Sequence, residues 1–274
     1  MSAVLVTGAA RGIGRAITAQ LATLGWDVIA GVRSLADVTA MEALPRVHPV
    51  MLDVTNDAHL AALPEQLPVR LDAVVNNAGV VVGGPLETVG VADLRRQFDV
   101  NVVGQLAVTQ AVLPRLRDSR GRIVFISSVN GRISSPMLGA YCASKFALEA
   151  VADALRMELT PWHIDVSVVE PASTATDMWY SAERTADELE AAMSAEQRVL
   201  YAKHVAGFKK LIPTARRMAV PAEKVADVVA EALTARRPRA RYGVGLGTTA
   251  QLALMHSLPS TVSDVVVRKL LRQP

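Results

Sequence analysis

The chain has 274 residues, 51% of them hydrophobic and 20% charged, with a formal net charge of +3 and a mean hydropathy of +0.27. That balance excludes a disordered chain, because enough apolar surface is present to build a large core. It also argues against a nucleic-acid partner: Lys and Arg are scattered, apart from Arg236, Arg237, Arg239 and Arg241, which read as an exposed helix end or a surface near anionic lipid.

Aromatic residues make up only 4% of the chain, so the core must come from Val, Leu, Ala and Ile, as in a parallel sheet covered by helices. The lone cysteine, Cys142, allows no internal disulfide and fits a reducing cytoplasm. Residues 3–6 follow without a charged leader, so no signal peptide is expected. No apolar run reaches the ~20 residues needed to span a bilayer.

Residues 3–6 form a short apolar run of strand type. The turn that follows, Thr7-Gly8-Ala9-Ala10-Arg11-Gly12-Ile13-Gly14, leads into helical spacing at Ile13, Ile17, Leu21 and Leu24. Gly8 permits a tight turn, Gly12 permits close approach of a pyrophosphate, and Gly14 lets the helix pack on the sheet. The free N–H groups and partial positive charge of a helix N-terminus favour phosphate. Residues 28–32 are the next strand. Dinucleotide folds usually hold the ribose with an acidic residue at its end, but here the slot is Val32, followed by Arg33. Arg33 and Arg11 together suit the 2′-phosphate of NADP(H), since guanidinium binds phosphate in bidentate fashion.

Further strands are expected at residues 47–52, 71–75, 123–127 and 164–169, with helices starting at Asn56 and spanning 12–24, 91–117, 141–159 and 221–235. Apolar strands alternating with helices imply right-handed crossovers and one parallel sheet. Because no linker interrupts residues 1–170, a single domain over 1–274 is expected. Within it lie an amphipathic insertion at 173–215, anchored by residues such as Met178 and Leu189, and a tail at 242–274.

Tyr141-Cys142-Ala143-Ser144-Lys145 opens one of these helices, and a spacing of four puts the phenol and the ammonium on one face. A phenol near pKa ~10 is a poor base. A cation beside it favours phenolate, and a shift of ~3 units needs ~4 kcal/mol. Ser127 and Ser128 both lie at the carboxyl end of the strand before it, where ligands of parallel sheets bind. Either hydroxyl can hold a substrate oxygen while Tyr141 exchanges a proton with it.

These residues resemble the short-chain dehydrogenase/reductase family, in its steroid- and retinol-handling branch. The matching pieces, in family order, are Thr7 to Gly14, Asp53-Val54, Asn76-Asn77-Ala78-Gly79, Asn101, Ser128, Tyr141 with Lys145, and Pro171 through Thr176. The resemblance implies a Rossmann-type doubly wound α/β sheet of about seven strands. It selects Ser128 over Ser127 and implies that Asn101 anchors a water next to Lys145. It further implies that Asp53 and Val54 line the adenine site and that Asn77, Ala78 and Gly79 back the adenosine. Pro171, Thr174 and Thr176 would hold the nicotinamide carboxamide and the phosphates. The chain departs from the family at Ala172, where Gly is usual.

The expected activity is hydride transfer between NADP(H) and a small-molecule carbonyl or alcohol substrate, apolar or bulky, in a cytoplasmic homodimer or homotetramer. The tail is expected to close the pocket, pack on a second subunit or make weak contact with a membrane surface. Met137, Leu138, Trp179 and Tyr180 are candidate substrate contacts. The dispersed His48, His59, His163, His204 and His256 suggest no metal site. Two competing classes are a non-catalytic NADP(H)-binding sensor or scaffold, which has no need of Ser128, Tyr141 and Lys145 together, and an epimerase or dehydratase on the same nucleotide fold.

Overall fold

The computed structural model describes residues 2–175 and 182–274. Thr176, Met178, Trp179 and Tyr180 lie outside the described residues. The strands are β1 (Ala3–Thr7), β2 (Asp27–Val32), β3 (Val47–Met51), β4 (Ala73–Asn76), β5 (Arg122–Ile126), β6 (Asp165–Pro171) and β7 (Arg241–Val244). They form one parallel sheet in the order β3-β2-β1-β4-β5-β6-β7. All five residues of β1 are buried, because both faces of the sheet carry helices. That explains why the strands read as continuous apolar runs rather than alternating ones.

The helices are α1 (Gly12–Thr23), α2 (Leu35–Glu42), α3 (Asp57–Gln66), α4 (Val91–Phe98), α5 (Gly104–Ser119), α6 (Gly139–Glu158), α7 (Ala182–Ala192), α8 (Ala195–Arg217), α9 (Ala222–Thr234), α10 (Thr248–Ser257) and α11 (Ser260–Leu270). On one face of the sheet, Ile17 and Leu21 of α1 and Val225 and Val229 of α9 pack on Val4, Val6 and Val28. On the other, Val108 and Val112 of α5 and Leu148 of α6 pack on Leu5, Val74 and Phe125. Burying each such side chain is worth about 1.5–3 kcal/mol.

The helix expected at 91–117 is interrupted. A π-helical turn at Asp99–Val103 separates α4 from α5, and the extra residue rotates Asn101 into the interior, where it is fully buried. Helix α2, which has little apolar periodicity, was not legible from spacing. Its start is set by Ser34, whose hydroxyl accepts from the Asp37 amide.

The insertion consists of α7 and α8. Ser194 and Gln197 close a capping box at the start of α8, and Lys209 reaches back to Asp187 and Glu190 at 2.7 and 2.6 Å. In the tail, Val267 is the buried residue of α11.

Of the arginine cluster, Arg236, Arg237 and Arg239 are exposed just past the end of α9, as the sequence suggested, but Arg241 is not. Arg241 turns inward, 2.7 Å from Asp153 and 3.1 Å from Glu149, and Arg239 pairs with Glu231 at 2.8 Å. Strand β7 presents Arg241 to α6, a partner 92 residues away in the chain, which local charge counting does not see.

Candidate active site

Strand order reverses between β1 and β4, which opens a crevice at their carboxyl ends. The glycine turn fills the β1 side. Gly8 and Gly12 adopt left-handed φ values of 63° and 53°, which a residue with a side chain rarely tolerates. A Cβ on Gly14 would lie 2.1 Å from the Gly8 carbonyl oxygen and 2.6 Å from the Asn77 amide nitrogen. Asn77 in turn donates to the carbonyls of Thr7 and Gly8 at 2.9 and 3.2 Å, and the Thr7 hydroxyl accepts from the amides of Asn77 and Ala78. The two sides of the crevice are therefore stitched together, and the N-terminus of α1 has no side-chain cap, which leaves its amides free for a phosphate.

A groove of about 810 Å³ runs from this turn to α6. Gly8, Arg11, Gly12, Ile13, Gly14, Arg33, Asp53, Val54, Asn77, Ala78, Gly79, Tyr141 and Lys145 all line it. Arg11 and Arg33 are exposed at its rim. Burial works against a charge on Asp53, but the Thr55 amide and hydroxyl, 2.9 and 2.7 Å away, together with the charges of Arg33 and His59, hold the carboxyl below its usual range. Ser34, Asp37 and Thr55 also line the groove and were missed in the sequence. The signals were a Ser-x-x-Asp helix start at Ser34 and the Asp-x-Thr turn at Asp53.

An apolar cavity of about 380 Å³ adjoins the groove. Its walls come from distant parts of the chain: Ile13, Val80, Met137, Pro171, Leu189 and Phe208 among them, with Leu138 and Thr174 as well. No described residue lining it is charged. Helices α7 and α8 roof it, with Met193 and Val205 packed on Met137. Met137 holds a left-handed φ of 68°, fixed by the Gly84 amide, which donates to its carbonyl at 2.8 Å.

Tyr141 lines both spaces, Ser128 only the apolar cavity and Lys145 only the groove. The Ser128 hydroxyl hydrogen-bonds the phenol and accepts from the Asn130 amide at 3.1 Å. Ser127 also lines both spaces, but its hydroxyl faces the Glu149 carboxyl. Lys145 donates to the Ile126 carbonyl at 2.7 Å, and its ammonium is 5.8 Å from the centre of the tyrosine ring.

The phenol is not depressed, as the neighbouring cation suggested it would be. Burial pushes it up to about 12, with the Ser128 hydrogen bond pulling the other way. Burial also draws Lys145 down to about 8, opposed by Glu149. Desolvation dominates both shifts, so the phenol is protonated at neutral pH.

Asn101 lines neither space. Its amide accepts from the Val80 amide at 2.8 Å and donates to the Val80 carbonyl and the Ser144 hydroxyl at 3.0 and 3.1 Å. It thereby ties the loop after β4 to α6. Ala172 takes the usual glycine position without strain: its amide donates to Val244 at 2.9 Å, and the facing residue is Gly245. Cys142 is buried and accepts from the Ser135 amide at 3.3 Å, a packing role. Among the described residues no group of three or more His, Cys, Asp or Glu is placed to hold a metal, and no helix is long and apolar enough to cross a membrane.

The family profile described as short chain dehydrogenase matches residues 2–187. The chain is 36% identical to a 3-amino-tetrahydro-pyrrolizinone reductase of Xenorhabdus hominickii over 252 residues, covering 88% of this chain and 86% of that one. It is 33% identical to retinol dehydrogenase 5 of Mus musculus, covering 99% and 89%. A short chain dehydrogenase/reductase from Burkholderia phymatum, solved in complex with NAD, superposes with a TM-score of 0.78 at 26% identity, covering 93% of this chain and 92% of that one.

Proposed function

The chain belongs to the short-chain dehydrogenase family, a family of oxidoreductases, and we propose that within it this protein reduces an uncharged, apolar carbonyl compound, or oxidises the corresponding alcohol, with NADP(H). The observation that carries the proposal is the position of Tyr141 at the junction of the two spaces, with Ser128 on the apolar side and Lys145 on the nucleotide side.

The residues present fit a nicotinamide dinucleotide. The glycine cradle would be filled by a single Cβ, the N-terminus of α1 has no side-chain cap, and Arg11 and Arg33 at the groove's rim would bind a 2′-phosphate. Asp53 and Val54 would hold the adenine end and Lys145 the nicotinamide ribose, while Pro171 and Thr174 lie beside the apolar cavity where the carboxamide would sit. The bound cofactor supplies or accepts the hydride.

In reduction, Ser128 orients the substrate oxygen and Tyr141, protonated at neutral pH, gives it a proton. Lys145 opposes the charge left on the phenol. Oxidation runs the same contacts in reverse. Among the described residues the cavity offers no counter-ion to an acid or a phosphate, and burying a lone anion is costly, so neutral substrates are favoured. Val91 and Val103 are 63% and 58% exposed on the α4–α5 flank, and a homodimer or tetramer covering them is part of the same proposal, as is a cytoplasmic location.

The test is oxidation of NADPH, with NADH in parallel, against steroid ketones, retinal, aliphatic and aromatic aldehydes, and their carboxylate-bearing analogues. Turnover with NADPH on neutral apolar carbonyls is the expected result. Tight NADPH binding with no turnover across the panel would favour the sensor or scaffold.

A further inference from the structure

Three residues of α6 spaced by four, Tyr141, Lys145 and Glu149, face three consecutive residues at the end of β5. Tyr141 is hydrogen-bonded by Ser128, Lys145 donates to Ile126, and Glu149 faces Ser127. The first two belong to the proposed chemistry. Glu149 does not line either cavity, is 5% exposed, and has no part in the proton transfer described above.

Its surroundings are charged on every side. From β7, Arg241 donates to its Oε2 at 3.1 Å. Arg241 also reaches Asp153 of α6 at 2.7 Å and Glu170 of β6 at 3.7 Å. Arg132, in the turn after β5, reaches Glu170 at 3.4 Å, and Lys145 lies one turn before Glu149 on α6. Three cations and three carboxylates thus meet behind the active site. The Ser127 hydroxyl and Glu149 Oε1 are both buried without a geometric hydrogen-bond partner among the described residues, and both crowd Gly131, where a Cβ would lie 2.6 Å from the first and 3.1 Å from the second. Lys145 itself is 4% exposed and has no carboxylate within ion-pair distance among the described residues. Its one hydrogen-bond partner there is a neutral carbonyl.

We propose that Glu149 is a positioning residue: clamped by Arg241 and buried one turn beyond Lys145 on α6, it supplies the counter-charge that keeps buried Lys145 an ammonium ion beside Tyr141. The assignment rests on the hydride-transfer reading for its functional meaning, while the charge coupling itself is independent of turnover. A purely structural carboxylate would brace β6 and β7 through Arg241 and leave Lys145 untouched.

The test follows the Lys145 titration in the cofactor-free protein by ¹³C NMR of ε-labelled lysine, assigned with Lys145→Met. Glu149→Gln keeps size and polarity and removes the charge. It is expected to lower the Lys145 midpoint by about 1 unit or more and to move the high-pH limb of reductive kcat/KM down by the same amount. Glu149→Asp, which retains the charge but withdraws it, is expected to shift both in the same direction by less. If the Gln variant does not fold, the Asp variant decides. An unchanged Lys145 midpoint in the folded variant overturns the proposal, whatever happens to stability. Should the wild-type protein show no NADPH-dependent turnover, the hydride-transfer reading falls, while the NMR midpoints still decide the coupling between Glu149 and Lys145.

Discussion

Lys145 sends its ammonium to the Ile126 carbonyl, 2.7 Å away, rather than to the phenol of Tyr141, whose ring centre is 5.8 Å distant. The lysine therefore grips the end of β5 while remaining within electrostatic reach of the tyrosine. With Lys145 drawn down to about 8 and Tyr141 pushed up to about 12, neutral pH finds both groups protonated. That pairing suits the proposed reduction, in which the phenol would give up its proton as negative charge develops on the substrate oxygen.

Removing that proton donor should be decisive. Tyr141→Phe is expected to lower kcat/KM about 10²- to 10⁴-fold and to leave NADPH affinity nearly unchanged, since the cradle for the phosphates lies at Gly8 to Gly14. Stopped-flow or steady-state NADPH oxidation, with a fluorescence titration of NADPH, measures both. Near-normal turnover would refute the role of Tyr141.

The pH dependence follows from the lysine. The ammonium form exists below its pKa, so reductive kcat/KM should be level at neutral pH. It should fall above about 8 as Lys145 loses its proton, while Tyr141, at about 12, stays protonated there. A profile with no inflection in the alkaline range would sink this assignment.

Gly14→Ala should be severe for a steric reason. The added methyl would meet the Gly8 carbonyl at 2.1 Å and the Asn77 amide at 2.6 Å, both held by hydrogen bonds across the crevice. A cost of about 1–3 kcal/mol is expected, seen as a lowered Tm, together with loss of nucleotide binding. A folded variant of normal Tm that binds NADPH normally would contradict the packing described.

Cofactor choice can be separated from catalysis at the rim of the groove. Arg33→Ala should weaken NADPH binding by about 1.5–3 kcal/mol, roughly 10- to 150-fold, and leave NADH binding within a small factor. Arg11→Ala should act in the same direction. Equal losses for both nucleotides would assign the arginines to the shared pyrophosphate instead of the 2′-phosphate.

Much of this molecule is written locally in its sequence. The glycine turn, the apolar strands and the four-residue spacing of Tyr141 and Lys145 depend on backbone conformation and periodicity within a few residues, so the parallel sheet and the helix that carries Tyr141 and Lys145 could be read directly. What only the tertiary structure decided depends on partners far apart in the chain. Asn77 fills the space left by Gly14, and Ser128 meets Tyr141 while Ser127 turns away. The π-helical turn buries Asn101 against Val80. Arg241, which reads as surface charge, is carried by β7 into a cluster of buried carboxylates. The raised phenol and the lowered lysine have the same origin. A sequence shows which charges are neighbours on a helix, but the loss of water around them is set by the sheet, helices and insertion that close over the site.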